Sequence, residues 1–291
     1  LYRKFVFQKG LEPNDPNIID IKTMDVKKKY PDMRILVPDE MMNFPNEFAD
    51  DLVRVGVVPD GSCFFHTIFR GKSKTYKEMT LQEKMIFIAN IRQTMAEKLS
   101  FDTFKVLGKG ELAYQKSMII FRSLIEKYMV GEENIITDEE FIKKIGNVAK
   151  ELEPATFDNF KNRFFEIFDD ILDNDSKESV NKIFELSLMK AYQKYKIELA
   201  HPRFPVSNDI SEFVSDQLGV DVYFINSNTR QLYLTADECK RVYKNRLSII
   251  VLSLGNYHYE LLARLSDTKL RTSFEPDDPL IKKLQKNVCD K

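Results

Sequence analysis

From Thr80 to about residue 200 the apolar residues of this chain recur at helical spacing, whereas beyond Val220 they gather in short β-branched and aromatic runs. Thr80 and Glu83 have the spacing of a capping box, in which each side chain satisfies the other residue's backbone N–H. Leu81, Met85, Ile88, Ile91, Met95 and Leu99 follow on one face. Thr137 and Glu140 repeat the device ahead of Phe141, Ile145, Val148 and Leu152, and Pro154 ends that run. Phe157, Phe160, Phe164, Phe168 and Ile171 form an aromatic stripe, expected to be core packing rather than a cofactor box. No repeat of fixed period underlies these helices; their similarity is compositional.

Either side of this helical stretch the pattern changes. Residues 1 to about 50 read as an irregular arm, broken by Pro13, Pro16, Pro31, Pro38 and Pro45. The basic cluster Lys27 to Lys29 is interrupted by nearby acids and reads as a solvated face. Val53 to Val58 reads as a strand, closed by Pro59. In the C-terminal third, Ser207 or Asn208 caps a short helix carrying Ile210, Phe213, Val214 and Leu218 and ended by Gly219. Val220 to Asn226 reads as a strand, with Gln231 to Leu234 as its neighbour and a short helix near Cys239. Leu247 to Leu254 is a buried strand, Gly255-Asn256 a two-residue hairpin signal, and Tyr257 to Leu265 the antiparallel return. The polar, proline-broken tail from Ser266 reads as a loosely packed extension.

Composition narrows the function. With 44 basic and 45 acidic residues the net charge is −1, so nothing global points to a nucleic-acid partner. No apolar run approaches the roughly 20 residues needed to cross a bilayer. The apolar part of Leu1 to Lys9 is too short for a signal peptide. Cys63, Cys239 and Cys289 form neither a disulfide framework nor a C-x-x-C pair. With only three histidines besides, no metal or cofactor is expected. A reducing, cytosol-like compartment fits, where a free thiolate survives.

Cys63 is the residue that invites chemistry. It follows the turn Asp60-Gly61-Ser62 and starts an apolar helix, so its sulfur faces unpaired N–H groups and the positive end of the helix dipole. Both favour a thiolate. Gly61 permits close backbone approach, its loop can present N–H donors to an oxyanion, and Asp60 can brace that loop by accepting main-chain hydrogen bonds. The bland alternative is a small buried hydrophobe.

A nucleophile needs a base. His66 shares the helix of Cys63 and is poorly placed to reach both thiol and leaving group; His201, before Pro202 at a helix end, also reads as structural. His258 stands on a rigid strand, near the sheet edge, just after a tight turn. Strand alternation puts His258, Glu260 and Leu262 on one face, and Tyr257, Tyr259 and Leu261 on the other. Glu260 is therefore the nearest carboxylate in sequence able to orient the ring, through Nδ1, with Asn256 and Asp60 as weaker rivals.

Asp60-Gly61-Ser62-Cys63-Phe64-Phe65 resembles the D-G-x-C-x-F signature around the nucleophile of ovarian-tumour (OTU) cysteine proteases, and Tyr257-His258-Tyr259-Glu260 resembles that family's late histidine block. Asn208-Asp209-Ile210 through Val220 and Tyr223 is similar to the helix-then-strand segment between them. The resemblance covers about residues 50 to 265. It implies an α+β, papain-like fold, with a central, mostly antiparallel sheet between helical layers, and a catalytic domain over 51–265. Much of about 100–200 would be a helical insertion, similar to those of OTU enzymes of intracellular bacterial pathogens, with large DNA viruses as another source of such a chain, and 266–291 a tail.

Carried over by position, Cys63 is the nucleophile and His258 the base. Asp60, Gly61 and Ser62 belong to the oxyanion loop, and Glu260 is the orienting acid where many members have Asp or Asn. The implied activity is hydrolysis after the C-terminal glycine of ubiquitin or a ubiquitin-like modifier, and the implied partners are ubiquitin or polyubiquitin chains, met by a monomer. The acidic run Asp169, Asp170, Asp173 and Asp175 is expected to be a solvated edge rather than a ubiquitin-facing surface. The alternatives are an inactive OTU-like adaptor that binds ubiquitin, and a helical interaction protein in which D-G-S-C is coincidental. Transglutaminase-like or acetyltransferase chemistry on a Cys–His scaffold is a more distant one.

Overall fold

The structure, a computed structural model, describes residues 34–44, 46–131, 156–169, 172–206, 208–232, 242–255, 258–266 and 269–288. Lys27 to Lys29, Thr137 and Glu140, Cys239 and Cys289, Asn256 and Tyr257 lie outside them. The chain runs β1 (Met41–Asn43), β2 (Leu52–Val55), α1 (Cys63–Lys72), α2 (Lys74–Glu78), α3 (Leu81–Lys98), α4 (Phe101–Val106) and α5 (Glu111–Gly131). It continues through α6 (Phe157–Phe168), α7 (Asn174–Ala200), α8 (Ser211–Leu218), β3 (Val220–Asn226), β4 (Leu247–Leu254), β5 (His258–Ser266), β6 (Lys269–Arg271) and α9 (Pro279–Val288). Two units result: one from residues up to Gln93 together with those from His201 onward, the other Thr94–Ala200.

The first unit is α+β. Its sheet has the order β1–β2–β5–β4–β3, with β6 beside β5, and every pairing is antiparallel except β3 with β4. Ile249 to Leu252 are fully buried, which suits an uncharged strand covered on both faces and flanked on both sides. One sequence expectation is met in part here and another changes. Beside β3, Leu232 bridges Ile225 antiparallel and Gln231 accepts the Asn226 N–H, Tyr233 and Leu234 lying outside the described residues, while β4 pairs along the whole strand, reached by a crossover. His258 begins a central strand rather than one near the edge, because Leu52–Val55 pairs with the far side of β5. Leu254 pairs with His258, so three residues rather than two separate the strands.

Alternation splits the sheet between two helical layers. Phe224 and Tyr259 turn to α1, where both rings meet Phe64, and Gly71 of α1 abuts Ile249. Tyr223, Ile225, Ile250, Leu252 and Leu262 turn the other way and share a core with Leu280, Ile281 and Leu284 of α9. The segment after Ser266, expected to be loosely packed, is therefore integral to the core. Asp278 accepts the Leu280 N–H at 2.8 Å, Pro279 occupies the first helical position, and three apolar side chains follow at helical spacing. Leu284→Ala is expected to destabilise the protein by about 2–5 kcal/mol. A denaturant midpoint unchanged from wild type contradicts the packing of α9.

The second unit is helical. Phe121 and Phe184 stack at 4.1 Å, and Phe160, Phe164 and Phe168 of the aromatic stripe are buried around them, as the periodicity predicts; Ile171 lies outside the described residues. Thr156 caps α6 through the Asn159 N–H, and Lys116 pairs with Glu198 between α5 and α7. In the acidic run, Asp173 accepts the Ser176 N–H and caps α7, while Asp169 pairs with Lys177. Asp170 lies outside the described residues. Among the described residues no helix is long and apolar enough to cross a membrane, and no group of three or more His, Cys, Asp or Glu stands ready to hold a metal ion.

Candidate active site

Helix α1 starts at Cys63 without a side-chain cap. The N-cap residue is Ser62, but its hydroxyl donates to the Pro202 carbonyl at 3.1 Å and accepts from Arg92 Nη1 at 2.9 Å. No acidic residue occupies the first turn. Cys63, 4% exposed, occupies the first helical position, where backbone N–H groups have no partner within the helix.

Asp60 organises the preceding turn. Its Oδ1 accepts the Ser62 N–H at 2.7 Å, its carbonyl accepts the Cys63 N–H at a long 3.3 Å, and its Oδ2 lies 3.3 Å from His66 Nε2. On its other side His66 Nδ1 is 2.5 Å from the Tyr76 hydroxyl. Burial, then the Asp60 and Asp39 carboxylates, push the Tyr76 phenol far above its ordinary range, so it stays a hydroxyl. Set between the Tyr76 hydroxyl and the Asp60 carboxylate, His66 braces Asp60 from within the helix. One expected oxyanion donor is removed by this arrangement: the Ser62 N–H is committed to Asp60. The Cys63 N–H, held by the longer bond, is the more readily exchanged.

Gly61 serves a different partner from the one its position suggests. A Cβ there would stand 2.6 Å from the Arg203 carbonyl carbon and oxygen and 2.7 Å from the Pro202 oxygen. The close approach is made by the chain's own 202–203 backbone. Gly61→Ala must push that backbone away from the nucleophile turn, costing about 1–3 kcal/mol. A melting temperature equal to wild type would show that the turn is looser than described. His201, next to this segment, accepts the Arg203 N–H at Nδ1.

His258 and Glu260 lie fully buried on the face of β5 opposite Tyr259. Glu260 Oε1 is 3.7 Å from His258 Nε2, an ion-pair distance but longer than a hydrogen bond. The facing nitrogen is Nε2, not Nδ1: two residues on one strand face stand about 7 Å apart, a gap that the outer ring atom bridges best. The carboxylate is itself held. Oε1 accepts the Leu36 N–H at 2.8 Å, and Oε2 accepts Arg54 Nε at 2.8 Å and pairs with Arg54 Nη2 at 2.7 Å. Glu260 is therefore no solvated residue.

Thr67 joins the two halves. Its hydroxyl lies 2.8 Å from the Cys63 carbonyl and 3.3 Å from the Tyr259 carbonyl, so α1 is fastened to β5 one turn after Cys63 and one residue after His258. Sequence reasoning passed over Thr67, Arg54 and Arg92. The two arginines did leave a signal: Arg54 interrupts an otherwise apolar strand, and Arg92 sits four residues after Ile88 on the apolar stripe of α3.

The sequence matches no family model and no curated protein. Among solved structures, one described as an ovarian tumour (OTU) domain in complex with ubiquitin aligns over 86% of this chain and 89% of its own, at 12% identity and a TM-score of 0.40.

Proposed function

We propose that the chain is a cysteine protease that hydrolyses the bond after the C-terminal glycine of ubiquitin or a ubiquitin-like modifier. The observation that carries this reading is the Thr67 link between the helix that begins at Cys63 and the strand that begins at His258. Cys63 stands about 6 Å before Thr67 along a helix, and His258 about 3.3 Å before Tyr259 along a strand. The helix start thus stands near the level of the sheet end that carries His258, and the proposed reaction requires the imidazole to approach the thiol around that end. The motif resemblance of both blocks supplies the reaction and the substrate class.

Cys63 thiolate attacks the glycine carbonyl, with the Cys63 N–H and the helix start facing the oxyanion. With Nε2 turned toward Glu260, Nδ1 of His258 is the nitrogen assigned to proton exchange. Protonated His258 gives its proton to the leaving lysine amine, and the neutral ring then activates water to hydrolyse the thioester. Glu260, fixed by Arg54, orients and stabilises the imidazolium. The setting proposed is a monomer acting on ubiquitin or its chains in a cytosol-like compartment.

The burial of Cys63, His258 and Glu260 favours a second reading, an adaptor that binds ubiquitin without cleaving it. A panel of di-ubiquitin linkages and ubiquitin-like precursors separates the two. Cleavage of at least one member by wild type supports the protease; binding with no cleavage of any supports the adaptor.

A further inference from the structure

We infer that Arg92 is a positioning residue for the oxyanion step: its buried guanidinium locks the Gly61–Ser62 peptide so that the carbonyl oxygen points away from the developing negative charge. This deepens the cysteine-protease reading and rests on Cys63 as the nucleophile. Arg92 is fully buried on α3, with its guanidinium 5.7 Å from the Phe65 ring centroid. Nη1 donates to the Gly61 carbonyl at 2.9 Å and to Ser62 Oγ at 2.9 Å, and lies 3.5 Å from the Pro202 carbonyl. The opposite edge of the same peptide, the Ser62 N–H, donates to Asp60 Oδ1 at 2.7 Å. A cation holds the oxygen and an anion holds the N–H, so a flip of this peptide breaks two charge-assisted hydrogen bonds at once. Without the cation the flip becomes accessible, and it puts the Gly61 carbonyl oxygen on the side of the Ser62 N–H, against the Asp60 carboxylate that shapes the turn before the Cys63 N–H. A buried arginine that served only to join residues 60–62 to 202–203 would affect every property of the turn alike.

Two reactions of one sulfur distinguish these roles. Acylation by p-nitrophenyl acetate forms an Sγ–C bond while the carbonyl π pair moves onto oxygen; collapse restores C=O, expels p-nitrophenolate and leaves a thioester. Alkylation by iodoacetamide forms an Sγ–C bond as iodide leaves, with no oxyanion. Both rates are measured at Cys63, the first corrected for release by Cys63→Ala and the second followed by mass spectrometry of the Cys63 peptide, at matched thiolate fraction. Arg92→Met is expected to slow acylation about 10- to 100-fold while alkylation changes less than about twofold, with Arg92→Lys intermediate. Equal slowing of both reactions, or no slowing of acylation, overturns the proposal. If Arg92→Met does not fold, Arg92→Lys is read by the same ratio. Neither reaction uses ubiquitin: the split in Arg92→Met beside a wild type that cleaves no ubiquitin substrate sinks the substrate assignment and leaves the role of Arg92 standing.

Discussion

Cys63→Ala is expected to lower the proposed hydrolysis of the ubiquitin C-terminal bond by about 10⁴-fold or more while leaving the protein folded. The size follows from the chemistry: without the sulfur no thioester forms, and what remains is the catalysis that binding and backbone dipoles give to water. The preserved fold follows from the site. Cys63 occupies the first position of α1, and the turn before it is held by Asp60, His66, Tyr76 and Arg92. Alanine suits a helical position and removes one buried atom, so stability is expected to move by no more than about 1 kcal/mol. Kinetics with a fluorogenic ubiquitin substrate and a thermal melt measure both. In a helical interaction protein whose D-G-S-C is coincidental, the substitution leaves function untouched.

The second large effect is on stability. Glu260→Ala removes the carboxylate that the Arg54 side chain, 1% exposed, pairs with. Removing one partner of a buried ion pair costs about 3–5 kcal/mol, much more than the pair itself contributes. The Leu36 N–H loses its acceptor at the same time. The double variant Arg54→Met/Glu260→Ala is therefore expected to recover most of the loss, as measured by denaturant unfolding. Glu260→Gln keeps one acceptor oxygen, for Arg54 or for the Leu36 N–H but not for both, and is expected to fold better than Glu260→Ala. It is still expected to lower kcat of the proposed reaction by about 10²-fold or more, because a neutral amide would not stabilise the imidazolium. A Glu260→Ala protein as stable as wild type contradicts the geometry of this carboxylate.

Local signals in the sequence were read correctly where local physics decides. The Thr80–Glu83 capping box forms with both reciprocal bonds, at 2.8 and 3.3 Å. Gly219 ends α8 in the left-handed conformation that a C-terminal glycine permits. Cys63 and His258 begin the helix and the strand on which periodicity places them. What was not legible depends on partners far along the chain. The committed Ser62 N–H follows from the reach of the Asp60 side chain, and the central position of β5 from β2 pairing across more than two hundred residues. α9 was overlooked because Pro276 and Pro279 read as breakers, although Asp278-Pro279 is a helix start when an apolar stripe follows. Arg54 and Arg92 look like surface residues until the carboxylate and the carbonyls they meet are known.

The most direct test of the account is reaction with ubiquitin carrying an electrophile in place of its C-terminal carboxylate, followed by peptide mapping. The account predicts one covalent adduct, located on Cys63, absent from Cys63→Ala and greatly slowed in His258→Ala. An unlabelled wild type, or an adduct that persists in Cys63→Ala, contradicts it.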